Sequence, residues 1–267
     1  MGADIRGLRN RIKSVDSTLH LTKAMGLVAS SKMRRANDAM LKGRDYASAM
    51  EEMISLLCQS RDCQRSPYLN VRPSERTKLI VIAGDRGLAG GYNANIFRMA
   101  KEYPDAEFLP IGKRACDRFG GESILAESFS SQDGAAWARK LCQEYLDGAY
   151  DRLGILSTQY HSLMTQQPKL TWVLPLSPKE PEGKAGVLFE PDESSILAAA
   201  VPEYVSGILL ACVRESFACE VAARRMAMDS AGKNAQQMID DLQLAYNRAR
   251  QGAITQEITE IVAGSGL

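Results

Sequence analysis

From Glu203 to Val262 the chain contains no proline, and the run RRMAMDSAGKNAQQMIDDLQLAYNRARQGAITQEITEIV, Arg224 to Val262, carries good helix formers almost throughout. This predicts one helix of roughly sixty residues. At about 1.5 Å per residue it would be roughly 90 Å long, against an average near 11 residues in globular domains. No ordinary core needs such a rod. Its inward positions, Cys212, Ser216, Cys219, Ala223, Ala231, Ala235, Ala245 and Ala249, are small where a bundle helix would present leucine. A partner backbone can therefore approach closely.

The partner lies at the other end of the chain. Steps of three and four residues run without a break through Ile5, Leu8, Ile12, Val15, Leu19, Thr22, Gly26, Ala29, Met33, Ala36, Met40, Gly43, Ala47, Met50, Ile54 and Leu57. That is a heptad seam with small residues or methionine at its centre. The expected fold is α/β: a long antiparallel two-helix coiled coil formed by the N- and C-terminal helices, with a central Rossmann-like α/β domain. The corresponding division is 1–60 for the first coiled-coil helix, 61–202 for the central base domain and 203–267 for the last helix.

The middle of the chain alternates. Short apolar runs at Leu79–Gly84, Ala106–Gly112, Leu153–Leu163 and Lys169–Leu176 read as strands, the last two split by Gln166, Gln167 and Pro168. Helices are expected at Ala94–Tyr103, Lys113–Phe119 and Asp133–Ala149, with Asp133 as a cap. Such alternation implies a small three-layer domain, mostly parallel where helices cross over. Ser177–Gly186 reads as a flexible connector. A short helix capped by Asp192 or Ser194 should end near Ala200, before Pro202 resets the chain.

Chemistry is hard to find. Gly84, Gly87, Gly90 and Gly91 match neither Gly-x-x-x-x-Gly-Lys-Ser/Thr nor Gly-x-Gly-x-x-Gly, so a tight strand-to-helix turn is expected there rather than a phosphate cradle. Six cysteines form no Cys-x-x-Cys pair, and His20 and His161 are the only histidines. No metal site, cofactor or catalytic residue is therefore expected. Cys58 and Cys63 are a conceivable redox pair, with free thiols the favoured reading. Lys32, Arg34 and Arg35 make a short basic cluster that could meet phosphate or acidic protein as readily as solvent. Asp240 and Asp241 point about 100° apart on a helix and cannot act as a carboxylate pair. The net charge of +1 argues against a nucleic-acid partner. No run approaching a membrane span and no leader stand out, so a cytoplasmic chain is expected.

The last turns are different. Comparing 5–58 with 203–262 makes the last helix longer by about six residues, or about 9 Å. Its tip carries Ile254, Ile258, Ile261 and Val262, an apolar stripe that would invite aggregation unless another chain encloses it.

Three stretches carry a resemblance. IRGLRNRIKSVDSTLHLTKAMGLVASSKMRRA, Ile5 to Ala36, resembles the first helix of the gamma subunit of F-type ATP synthases, and YNRARQGAITQEITEIVAGS, Tyr246 to Ser265, resembles its last. GDRGLAGGYNAN, Gly84 to Asn95, is similar to the loop after the first strand of that family's central domain. The resemblance implies a rotor shaft that couples ion-driven rotation of a membrane ring to ATP synthesis or hydrolysis at the beta subunits, and that is itself no enzyme. Partners implied are the alpha and beta hexamer, epsilon and the membrane c-ring, with a peripheral position on the cytoplasmic face of the cell membrane. By the same likeness Arg250 and Gln251, with Thr255 and Glu257 beside them, face a loop of beta. Met25 and Arg225 face beta lower on the shaft, and Phe189, Glu190, Pro191 and Asp192 lie near the ring. The runner-up is a nucleotide-binding α/β protein with a coiled-coil arm, followed by a nucleic-acid-binding coiled coil.

Overall fold

Two helices account for almost half of the chain in the computed structural model, which describes residues 2–73, 76–177, 189–190 and 192–264. Helix α1 runs Gly2–Leu57 and the last helix, α5, runs Glu193–Gly264. Residues 1–30 and 224–267 form one compact unit, and 31–223 form another.

The first unit is an antiparallel pair of helices. Leu19 packs on Ala235 and Ile239, a Cβ at Gly26 would lie 3.7 Å from that of Met228, and one at Gly232 would lie 3.6 Å from the Thr22 hydroxyl. Small residues set this spacing, as the seam requires. On α1 every seam position from Ile5 to Ala29 is buried or half-buried, whereas the intervening polar positions are exposed. On α5 the inward series is Met228, Ala231, Ala235, Ile239, Leu242, Tyr246, Ala249 and Ala253. Ala245, expected inward, is exposed. The step from Ile239 is three residues to Leu242 and four to Tyr246, which passes Ala245 by one position. The register also corrects the expected overhang. Gly26 opposite Met228 and Thr22 opposite Gly232 put Gly2 level with Gly252, so residues 253–264 run about 18 Å past the start of α1 rather than about 9 Å.

The second unit is built on a four-stranded sheet of β1 (Thr77–Ile82), β2 (Glu107–Ile111), β3 (Arg152–Tyr160) and β4 (Gln166–Leu174), in the order β2-β1-β3-β4. β1 pairs parallel with β2 and β3, and β3 pairs antiparallel with β4. The parallel pairs are bridged by α2 (Tyr92–Ala100), α3 (Lys113–Phe119) and α4 (Ser131–Leu146). Ile80 and Ile82 face a large core with Leu141, Tyr145 and Leu209, while Leu79 and Val81 face a smaller one with Ile96 and Ala100. Strand β1 is thus apolar on both faces, as a central parallel strand must be.

Four local expectations need correction. Gln166, Gln167 and Pro168 belong to β4, and the turn is His161–Thr165. An edge strand tolerates proline because the missing N–H can fall on its unpaired side. Ser130, not Asp133, caps α4: its hydroxyl accepts from Asp133 N, and the Asp133 carboxylate closes a capping box. Pro202 does not reset the chain, because α5 passes through it without a break. The fourth correction concerns hydropathy, since α5 contains an 18-residue stretch of mean hydropathy 2.0. Half of that stretch is buried in the protein, and Leu197, Val201, Val205, Leu209 and Val213 are core residues. It is a core helix. The connector expected at Ser177–Gly186 lies, apart from Ser177, outside the described residues.

Within this unit α1 and α5 again touch through small residues. A Cβ at Gly43 would lie 3.3 Å from the Ala211 Cα. The tightest glycine is elsewhere. Gly112 has φ +93, and a Cβ there would collide with the carbonyl of Ala83. Gly112→Ala is therefore expected to destabilise the chain by about 2–4 kcal/mol in chemical denaturation. Gly207→Ala, where only the exposed ring of Tyr46 must move, is expected to cost far less.

Candidate functional site

The glycine-rich loop between β1 and α2 is held by carboxylates of its own chain. Glu220 of α5 is 2% exposed, and its carboxylate accepts hydrogen bonds from Asp85 N (3.3 Å) and Arg86 N (3.2 Å). Gly84 N donates to the Asn93 side chain at 2.8 Å. A Cβ at Gly84 would lie 2.8 Å from Glu220 Cδ, so only glycine lets the carboxylate approach. The Asp85 carboxylate in turn accepts from Lys113, Ala126 and Glu127 N at 2.8 to 3.2 Å. Glu127 pairs with Lys32 of α1 and lies 3.8 Å from Arg86. The amides of Gly84, Asp85 and Arg86 are thus occupied by protein oxygen rather than held open for a phosphate. Lys32, part of the expected basic cluster, is engaged here, while Arg34 and Arg35 are exposed.

A second polar seam ties α5 to the sheet. Ser216 Oγ accepts from Thr158 N at 3.1 Å, Tyr92 donates its hydroxyl proton to Ser216 O at 2.9 Å, and the Cys219 thiol donates to Thr158 O at 3.4 Å. Arg44 of α1 bonds both Glu215 at 2.5 Å and the Tyr160 carbonyl at 2.6 Å. Burial pushes Tyr92 and Cys219 well above their ordinary ranges, so both stay protonated. These are couplings of helix to base, with no nucleophile–base pair among them.

The other candidates sit on the helix pair of the first unit. Arg250, Gln251, Thr255 and Glu257 are all exposed. Arg250, Ile254, Glu257, Ile258 and Ile261 follow steps of three and four, so they share one face. Ile254 is 47% exposed, Ile258 56%, and Ile261 and Val262 65% each. The Thr255 hydroxyl donates to the backbone carbonyl of Gln251 at 2.9 Å. By register, Met25 is level with Asp229 and Arg225 with Ala29, so the two lie about one turn apart, Met25 half-buried and Arg225 exposed.

The segment before α5 is put to use locally. Phe189 packs against the main core, Glu190 is exposed, and Pro191 lies outside the described residues, as do Gly186 and Val187. Asp192 caps α5 by accepting from Ser195 N and Ser195 Oγ at 2.8 and 2.7 Å. Those bonds, from the Ser195 backbone and then its side chain, hold the Asp192 carboxyl below its usual range.

A family model described as ATP synthase matches residues 4–266. A protein named ATP synthase gamma chain from Moorella thermoacetica is 36% identical over 277 residues, covering 98% of both chains, and one from Ruminococcus albus is 38% identical over 282, again 98% of both. The chain belongs to the ATP synthase gamma-chain family. Among solved structures, a chain of the Euglena gracilis mitochondrial ATP synthase OSCP/F1/c-ring assembly in rotational state 3 matches with TM-score 0.68 at 19% identity, over 100% of this chain and 97% of that one. A chain of the same organism's rotor in rotational state 1 gives 0.65 at 18%, over 95% and 100%. At such identities the likeness is one of fold.

For a gamma chain, the residues missed by sequence reasoning are Glu220, Glu215, Asp85 and Arg44. One signal was present: Glu220 stands in ACEVAA, an acid inside an apolar stretch of helix. The thiols behave as core residues. Burial first, then the nearby Cys63, pushes Cys58 up to about 11, so at pH 8 roughly one thiol in a thousand is ionised. Alkylation of Cys58 should be slow at pH 8 and should rise about tenfold per pH unit below its pKa. Glu220→Ala is expected to cost about 2–4 kcal/mol and to speed amide exchange at Asp85 and Arg86, both readable by hydrogen-exchange mass spectrometry.

Proposed function

We propose that the chain is the central rotor shaft of an F-type ATP synthase, turning inside a hexamer of alpha and beta subunits and coupling ion-driven rotation of a membrane ring to ATP synthesis or hydrolysis at beta. The observation that carries this reading is the apolar tip. Three isoleucines and a valine lie exposed on a helix end that overshoots its partner by about 18 Å. Burying each such side chain is worth roughly 1.5–3 kcal/mol, so a surrounding sleeve of foreign protein would be strongly favoured. Because apolar contact has no preferred direction, such a sleeve holds the axis without resisting its turning.

Polar groups just below the tip serve the opposite purpose. Arg250 and Gln251, with Thr255 and Glu257, present directional donors and acceptors that would register particular angles against beta. Met25 and Arg225 would meet beta lower on the shaft. Segments 1–60 and 203–267 supply the shaft, and 61–202 the base, where epsilon and the c-ring would bind. Phe189, Glu190, Pro191 and Asp192 belong to that segment of the sequence; Glu190 and Asp192 are exposed, and Glu190 would be available to the ring while Asp192 caps α5. The chain itself would be non-catalytic and peripheral, on the cytoplasmic face of a bacterial cell membrane. The loop carboxylates argue against the nucleotide-binding alternative, since Glu220 already takes the Asp85 and Arg86 amides.

The test is assembly and single-molecule rotation of the complete enzyme. Ile254→Asp with Ile258→Asp should reduce incorporation of the chain or the stability of the complex while leaving its fold intact by circular dichroism. Arg250→Ala should assemble but shorten angular pauses, at a cost of about 1.5–3 kcal/mol for a charge-assisted bond. Normal assembly of the first variant with unaltered pausing in the second would contradict the proposal.

A further inference from the structure

Strand β3 outlasts its neighbour. Pairing with β1 ends at Val81 opposite Leu156, while β3 runs on to Tyr160 with β4 on its other side. Thr158 and Tyr160 therefore present backbone groups on a margin where the sheet supplies no partner. Side chains of the two long helices take the missing strand's place. Ser216 Oγ accepts from Thr158 N at 3.1 Å and the Cys219 thiol donates to Thr158 O at 3.4 Å, while Glu215 accepts from Tyr160 N at 2.8 Å and Arg44 donates to Tyr160 O at 2.6 Å. The same short stretch of α5 reaches two further elements, since Ser216 O takes the Tyr92 hydroxyl of α2 and Glu220 takes the Asp85 and Arg86 amides of the loop after β1.

Closer to its start, α5 is held differently. Leu197, Val201, Val205, Leu209 and Val213 form an apolar stripe in the main core. Apolar contacts are individually weak and tolerate small displacements, whereas hydrogen bonds weaken steeply with length and angle. A turn of about 10° around the α5 axis would move a side-chain atom about 5 Å from that axis by about 0.9 Å, enough to overstretch or misalign the bonds at Glu215 to Glu220 together.

We propose that Glu215, Ser216, Cys219 and Glu220 of α5, with Arg44 of α1, form a torsional joint that locks both helices to the α/β base against twist. Its role rests on the rotor reading, in which torque applied at the base leaves through these two helices. The apolar stripe seats the root of α5, and the joint is where directional bonds carry the load. Because those bonds share one helix segment, they hold or fail as a unit.

The test uses Arg44→Met with Glu215→Met, which replaces an ion pair by apolar side chains of similar reach and removes the two bonds to Tyr160. Ser216→Ala, a smaller change that removes the bond to Thr158 N, is the second variant and should move each readout the same way, less far. The matched control is Val205→Ala, which weakens the apolar stripe and leaves every joint bond in place. In the assembled enzyme, with the hexamer fixed and a probe on the ring, the angular variance during pauses is inversely proportional to the stiffness of the drive. The double variant is expected to assemble, to turn and to raise that variance by up to about twofold, the limit set by halving the bonds to β3. The control should leave it unchanged. In the free chain, amide exchange should quicken about tenfold at Tyr160 and also at Thr158, whose own bonds are untouched, with Ile80 unaffected. Unchanged variance, an equal rise in the control, loss of assembly by a variant that remains folded, or exchange that quickens at Tyr160 alone would each overturn the joint. If the unsubstituted chain neither assembles nor turns, the rotor reading fails instead, and the exchange pattern still decides whether the bonds act as one unit.

Discussion

Close approach of two helix backbones is the constraint on which the rest depends. In the helix pair it is set by Gly26 against Met228 and by Gly232 against Thr22, and in the α/β unit by Gly43 against Ala211. Small side chains gain little from burial, so such a seam is thin in hydrophobic energy and relies on continuity over many turns. That explains why the α/β unit reinforces its share of the two helices with polar ties. Arg44 joins α1 to Glu215 of α5 and to β3, and Ser216, Cys219 and Glu220 join α5 to the sheet and the loop.

Those ties are directional and largely buried, which makes them costly to break singly. A buried carboxylate such as Glu220 is tolerated only because its oxygens meet backbone donors, and the loop is tolerated only because Gly84 admits the carboxylate. Loop and helix therefore specify one another. Lys78 shows the same logic at the sheet. Burial alone would lower its pKa, but the bonds it donates to Glu144 and Glu107 outweigh that and the net shift is upward, so it remains an ammonium.

Much of the fold was legible because the signals were long. A sixteen-position seam and a sixty-residue span without proline leave little freedom, and α3 was found at its full extent, Lys113–Phe119. Errors arose where a local rule met a tertiary one. Pro202 looked like a break, yet α5 carries it because core packing on both sides holds the helix. Pro168 looked like a turn, yet the strand it sits in is an edge. Ala245 looked inward because alanine suits a close seam, but the heptad steps past it. Of the candidate site, the exposed tip and the failed phosphate motif were readable from residue spacing. The loop's carboxylate partners were not, because Glu220 is 136 positions from Gly84 and nothing local joins them.

The same residues that look poor as a core look suitable as a bearing. Ile254, Ile258 and Ile261 are arranged on one face, beyond the reach of α1, with Arg250 at the lower end of that face. The most direct measurement is maleimide labelling of the Ile258→Cys variant, quantified at position 258 by mass spectrometry, in the isolated chain and in the assembled enzyme. Rapid labelling of the free chain and strong protection after assembly are expected. Protection already present in the free chain, or unchanged labelling in the complex, would contradict a tip sheathed by other subunits.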